Sequence, residues 1–178
     1  MGMLTSGRVE IEATAADVWP WLVEPVKLAA WLGSSAGMPD DPAELHAGWS
    51  TTTTGTPAGD VHLEITAYEP PTLLSYRSTY TGGDAVSTYR LTEAEGTTTV
   101  VLEGDTDWGR PEGGLDASVD SALAGQPEDV RDLVETQLEA LEDGLQRGAF
   151  DAIAQPQLQQ AVDVALQKLK SLVETAKS

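Results

Sequence analysis

The stretch from Gly59 to Tyr80, GDVHLEITAYEPPTLLSYRSTY, decides how the rest of the chain is read. Val61, Leu63, Ile65 and Ala67 alternate with His62, Glu64, Thr66 and Tyr68, which is the period of a strand with one buried face. Pro70 and Pro71 end the ladder, since neither has a backbone N–H to give, and Pro71 holds the residue before it extended. Leu74, Tyr76, Ser78 and Tyr80 then repeat the alternation on the way back. The stretch predicts an antiparallel pair with one wet face and one largely apolar face.

The same period continues on both sides. Strands are expected over about 48–55, 60–69, 73–80, 85–93 and 97–105, with turns at Gly55–Gly59, Gly82-Gly83 and Glu95-Gly96. Connections this short make a meander of neighbouring antiparallel strands. The inward positions are then Trp49, Thr51 and Thr53; Leu63 and Ile65; Leu74, Tyr76 and Tyr80; Tyr89 and Leu91; and Val100 and Leu102. Upstream, Val9, Ile11 and Ala13 alternate with Arg8, Glu10 and Glu12, a first strand. Thr14 is the expected N-cap of AADVWPWL, with Asp17 in the capping-box place. Pro20 compromises that helix, and Pro25 starts a second one, VKLAAWL, which Gly33 ends.

Downstream of the strands the period changes from two to 3.6. Val130, Val134, Leu138, Leu141 and Leu145 fall on one stripe, which would lay a long helix across the open face of the sheet. After Pro156 a second stripe runs through Leu158, Val162, Ala165, Leu169, Leu172 and Ala176. Residues 1–148 are therefore expected to form one domain. Residues 149–178 are an additional helical segment, packed on that domain or pairing with a second subunit.

Composition excludes several functions. With 29 acidic against 10 basic side chains and a net charge of -19, the chain would repel phosphate backbones and anionic lipids, so no nucleic-acid partner is expected. There is no cysteine, hence no disulfide and no thiolate chemistry. No run approaches the apolar length of a membrane span, and the N-terminus lacks a signal-peptide pattern. MGMLTS fits the loose myristoylation pattern, yet ordinary start-site residues explain it equally well. The expected location is the cytoplasm.

The chemical motifs argue mostly against catalysis. Gly33-Ser34-Ser35-Ala36-Gly37 spells G-x-S-x-G, but a nucleophile elbow needs a strand before it, and here a helix precedes. His46 and His62 are the two histidines, and each reads as structural before it reads as a base. Glu103, Asp105, Asp107 and Glu112 read as a solvated acidic rim rather than a calcium site, and neither a metal nor a cofactor is expected. The inward aromatics are the informative set. Trp49, Tyr76, Tyr80 and Tyr89 share one face, with Thr51, Leu63 and Ile65 beside them and Leu138 on the expected helix. An apolar concavity with a few hydroxyls suits a small-molecule site.

The order of strand, two short helices, five-stranded meander and long helix resembles the START-like helix-grip superfamily, also called SRPBCC. The resemblance is carried by VEIEATAADVW (9–19), LAAWLG (28–33), AGWSTTTTG (47–55), GDVHLEITAYEPPTLLSYR (59–77) and STYRLTEAEGTTTVVLEGD (87–105). Within the superfamily it looks like the branch of the heat-shock protein 90 ATPase activators and the polyketide cyclase-like proteins. The resemblance implies an α+β helix-grip fold, a curved antiparallel six-stranded sheet (β-αα-βββββ-α) around a long C-terminal helix, here with one extra helix. It also implies a cavity between sheet and helix that takes small apolar molecules. The activators carry a further N-terminal domain with no counterpart in these residues, so a chaperone partner is the weaker expectation. The favoured expectation is a binding module for a small hydrophobic or aromatic ligand, lined by Trp49, Thr51, Leu63, Ile65, Tyr76, Tyr80, Tyr89 and Leu138. A polyketide cyclase or dehydratase type of enzyme is the first alternative, and a chaperone-accessory domain the second.

Overall fold

The computed structural model describes residues 3–33, 37–56, 59–80, 83–108 and 149–177. Six strands form one antiparallel, curved, open sheet. They are β1 (Met3–Ile11), β2 (Ser50–Thr56), β3 (Gly59–Glu69), β4 (Leu73–Tyr80), β5 (Gly83–Ala94) and β6 (Thr97–Trp108). Their spatial order is β1-β6-β5-β4-β3-β2, so the last five run as the expected meander and β1 closes against the final strand. Three short helices follow β1: α1 (Ala15–Val18), α2 (Pro20–Val23) and α3 (Pro25–Leu32). A C-terminal helix, α4 (Ala149–Ala176), completes the described chain.

The helical stops fall where chain chemistry puts them. Thr14 accepts from the Asp17 N–H as N-cap, Pro20 and Pro25 each open a new helix, and Gly33 ends α3 in the left-handed region at φ 84. Glu95 and Gly96 both have positive φ, 52 and 79, which is the two-residue turn whose twist suits the β5–β6 hairpin.

Two features depart from the reading of the sequence. First, β1 begins at Met3 rather than near Arg8. Met3 is 3% exposed and belongs to the buried core, so the strand takes in Met3–Gly7 as well. Second, the register of β3 against β4 shifts between Ile65 and Ala67. Ile65 faces Tyr76, but beyond this bulge Tyr68 faces Leu74, so Tyr68 crosses to the buried face. There its ring lies 5.7 Å from that of Trp19.

The core lies between one face of the sheet and the helices. Val9, Ile11, Leu63, Ile65, Leu74, Tyr89, Leu91 and Val100 meet Val18, Leu22, Leu28 and Trp31 there. Leu166, Leu169 and Val173 of α4 join the same core, each at most 1% exposed. Each contributes about 1.5–3 kcal/mol of burial. The expected stripe from Val130 to Leu145 lies outside the described residues.

Helix α4 also seals an edge. In an open sheet the outer backbone groups of β1 would be unpaired, a liability for strand-to-strand association. Gln155 donates to Leu4 O, and the Gln159 amide both accepts from Ser6 N–H and donates to Ser6 O at 2.6 Å. Lys170 donates to Glu10 O at 2.6 Å. Glu174 accepts from Glu12 N–H, and Lys177 donates to Glu12 O. The helix can come this close because residue 7 is glycine. A Cβ there would stand 2.6 Å from Leu166 Cδ1 and 2.7 Å from Val162 Cγ1.

Candidate functional site

The helix-covered, concave face holds most of the residues singled out from the sequence. Register places Ile65 opposite Tyr76, Leu63 opposite Ser78, Tyr89 opposite Leu74 and Thr51 opposite Leu63. Trp49 extends the same face beyond β2, its carbonyl accepting from Ile65 N–H at 2.9 Å. Leu63, Ile65, Tyr76 and Tyr89 are buried, whereas Trp49, Thr51 and Tyr80 are half-buried. Leu138 and Ser35 lie outside the described residues.

The polar centre of this face is a pair of phenols. The hydroxyls of Tyr76 and Tyr89 stand 3.4 Å apart and their rings 6.1 Å, and Trp31 meets Tyr89 edge-on at 6.2 Å. Ser87 stands opposite Tyr76 in the register of β4 and β5. Burial pushes both phenols above their ordinary range, Tyr89 the further, because a phenolate there would lose its water. Tyr80, nearer the rim, is also raised, by burial first and then by the carboxylates of Asp84 and Asp107. Both phenols are therefore neutral at pH 7, hydrogen-bonding groups rather than bases.

Reading the sequence missed Ser87 and Thr98. Ser87 shares the parity of Tyr89 two residues on, a signal available in the strand pattern. Thr98 is fully buried and donates to Ala13 O at 2.7 Å, a partner on a distant segment that no local pattern could name.

The histidines lie off this face. His62 points to the convex side, 3.1 Å from Thr52 Oγ1, and His46 is exposed with its Nδ1 2.9 Å from Ala47 O. Arg77 is convex as well, 3.5 Å from Asp84. On that side Thr66, Ser75 and Thr88 join their hydroxyls across three strands at 3.0 and 2.9 Å. A groove of about 430 Å³ lies beside them, lined by Leu4, Ser6, Val86, Thr88, Glu103 and Gln159. A second groove of about 330 Å³ follows the sealed edge at Arg8, Glu10, Gln167 and Lys170. Among the described residues no group of three or more metal-ligating side chains gathers, and no helix is long and apolar enough to cross a membrane.

Residues 5–146 match the family model described as polyketide cyclase / dehydrase and lipid transport. The chain belongs to that family. This accords with the START-like resemblance through its polyketide cyclase-like members and says nothing of the chaperone-activator branch. No curated protein matches the sequence. Among solved structures, CV1439 from Chromobacterium violaceum is 12% identical with a TM-score of 0.57, over 97% of this chain and 97% of that one. A protein from Arthrobacter aurescens is 16% identical with a TM-score of 0.54, over 97% and 87%. DynU16, from the dynemicin biosynthetic locus, is 22% identical with a TM-score of 0.46, over 68% of this chain. The chain spans 43% of the length of DynU16. At these identities the likeness is one of fold.

Proposed function

We propose that this member of the polyketide cyclase / dehydrase and lipid transport family is a cytoplasmic binding protein for a small hydrophobic or aromatic molecule, taken up on the concave face without chemical change. In this reading residues 1–148 form the binding unit, and 149–178 brace its β1 margin. The observation that carries the reading is the neutral Tyr76–Tyr89 pair set among Leu63, Ile65 and Leu74. An apolar floor with a few fixed hydroxyls binds by burial and orients by hydrogen bonding. Trp49 and Tyr80, half-buried, would meet the ligand at the rim. The test is native mass spectrometry of the purified full chain, followed by titration with small aromatic ketones and hydrocarbons. A retained apolar molecule, or saturable binding that Tyr89→Trp weakens at least about tenfold by overfilling the floor, supports the proposal. A protein that retains nothing and binds no aromatic probe up to its solubility limit sinks it.

The family description also favours a cyclase or dehydratase reading. That reading needs a base facing the concave side, whereas both histidines lie elsewhere and the inward phenols stay protonated. Turnover of an aromatic polyketide that disappears in Tyr76→Phe would establish it over plain binding.

A further inference from the structure

The two edges of the sheet are finished differently. At the β1 edge, side chains of α4 and of Lys177 take up the outer backbone groups of the strand. β2 is the other edge, last in the order β1-β6-β5-β4-β3-β2, and among the described residues no element hydrogen-bonds its outer backbone. Ile65 N–H donates to Trp49 O and Ile65 O accepts from Gly48 N–H, so Ile65 turns both backbone groups toward β2. Backbone direction alternates along a strand, so Leu63 and Val61 do the same, opposite Thr51 and Thr53. The N–H and C=O of Ser50 and Thr52 therefore point away from the sheet. Natural edges in this state carry lysine, proline or an inward charge. Ser50–Thr56, STTTTGT, has none of these, and its register shift against β3 falls after Thr53. Ser50, Thr52, Thr53 and Thr54 are exposed, which leaves the margin open on both faces of the sheet.

Shape and charge narrow what can occupy this edge. A foreign peptide strand is selected by pockets for its alternate side chains, and both grooves described above lie at the β1 margin instead. A second β2 needs no pocket. Turned by a two-fold axis normal to the sheet, it sets Thr52 against Thr52, Ser50 against Thr54 and Thr51 against Thr53. Threonine and serine pair favourably across neighbouring strands. The chain carries a net charge of -19, yet β2 brings no carboxylate to face its own copy. Asp60 and Glu64 lie one strand further back, on β3. The two copies of β3 would stand about 14 Å apart, three strand spacings, beyond the screening length of about 8 Å.

We propose that the β2 edge is a self-association surface, through which two copies of this chain join β2 to β2 in one continuous antiparallel sheet. The two concave faces then lie on the same side, and the rim at Trp49 and Thr51 is completed by Thr53 of the second copy. The pairing requires nothing of the binding role proposed above.

The experiment is sedimentation velocity of the full chain from about 10 μM to about 1 mM. Monomer should give way to dimer and to nothing larger, because each β2 is used up by its twin. Raising the salt from about 20 to about 200 mM should tighten the dimer, since the ladder is uncharged and only the two net charges oppose it. Thr52→Lys alone and Thr52→Glu alone each set like charges face to face, and each should stay monomeric over that range. Their equimolar mixture should sediment as a dimer, because lysine then faces glutamate. Thr52→Pro should be monomeric too, and it removes no hydrogen bond to β3, since the Thr52 N–H points outward. An unchanged far-UV spectrum in each variant separates loss of the dimer from loss of the fold. A chain that stays monomeric up to about 1 mM overturns the proposal, as it would if another segment of this chain took the edge. A dimer that either charged variant leaves intact, that their mixture fails to restore, or that salt weakens overturns it as well.

Discussion

Replacing Gly7 with alanine sets two opposed effects against each other, and the structure decides the sign. Glycine in a strand interior costs about 0.5–1 kcal/mol relative to alanine through the freedom it loses on folding. Gly7 does not have a positive φ, so alanine meets no backbone penalty there. By that account Gly7→Ala would stabilise. The added Cβ, however, would stand 2.6 Å from Leu166 Cδ1 and 2.7 Å from Val162 Cγ1. Leu166 is 1% exposed and held in the core, and Val162 is branched at Cβ and stiff. Relief requires α4 to step back from β1 or Leu166 to leave its rotamer, about 1–3 kcal/mol for overpacking of this kind. The expected net effect is a loss of about 1–2 kcal/mol, or roughly 2–8 °C in Tm for a chain of this size. Thermal and urea unfolding of Gly7→Ala, Leu166→Ala and the double variant give the test. Leu166→Ala alone should cost about 2–5 kcal/mol. In the alanine-7 background it should cost less by about 1 kcal/mol, because the new methyl fills part of the space. A Gly7→Ala protein as stable as the original, or additive costs in the cycle, would show that α4 does not lie against β1 as described.

Two further outcomes follow from the edge and the core. Gln159→Ala removes both hydrogen bonds to Ser6. It should cost about 1–2 kcal/mol and speed hydrogen exchange at the Ser6 amide, with exchange at β3–β4 unchanged, as read by exchange mass spectrometry. For the phenols the sign is set by their raised folded-state pKa. The stability they contribute is fully present below the unfolded value near pH 10 and is lost as pH rises toward their folded values, because only the unfolded chain releases those protons. Stability should fall steeply above about pH 10, and absorbance at 295 nm should show two tyrosines ionising only with unfolding. Tyr89→Phe should flatten that fall, and a pH profile unchanged by the substitution would contradict the burial of its hydroxyl.

What the sequence determined by itself is local. Alternation settles which of Leu63, Ile65, Tyr76, Tyr89, Val100 and Leu102 share a face, because the pleat has a period of two whatever surrounds it. Thr14, Pro20, Pro25, Gly33 and Glu95-Gly96 stop or turn the chain through their own backbone chemistry. The candidate site was half legible for the same reason: Tyr76 and Tyr89 are named by parity, and Ser87 could have been. The rest depends on segments far apart in the chain. The bulge at Thr66, which turns Tyr68 inward, is a matter of two strands' register. The start of β1 at Met3 depends on β6, with Met3 facing Thr106 across about a hundred residues. The seal by Gln159, Lys170 and Lys177, and the reason residue 7 is glycine, exist only when α4 lies on β1. Period and turn chemistry act between neighbours, whereas a hydrogen bond or a steric limit between distant residues has no existence until the chain has folded.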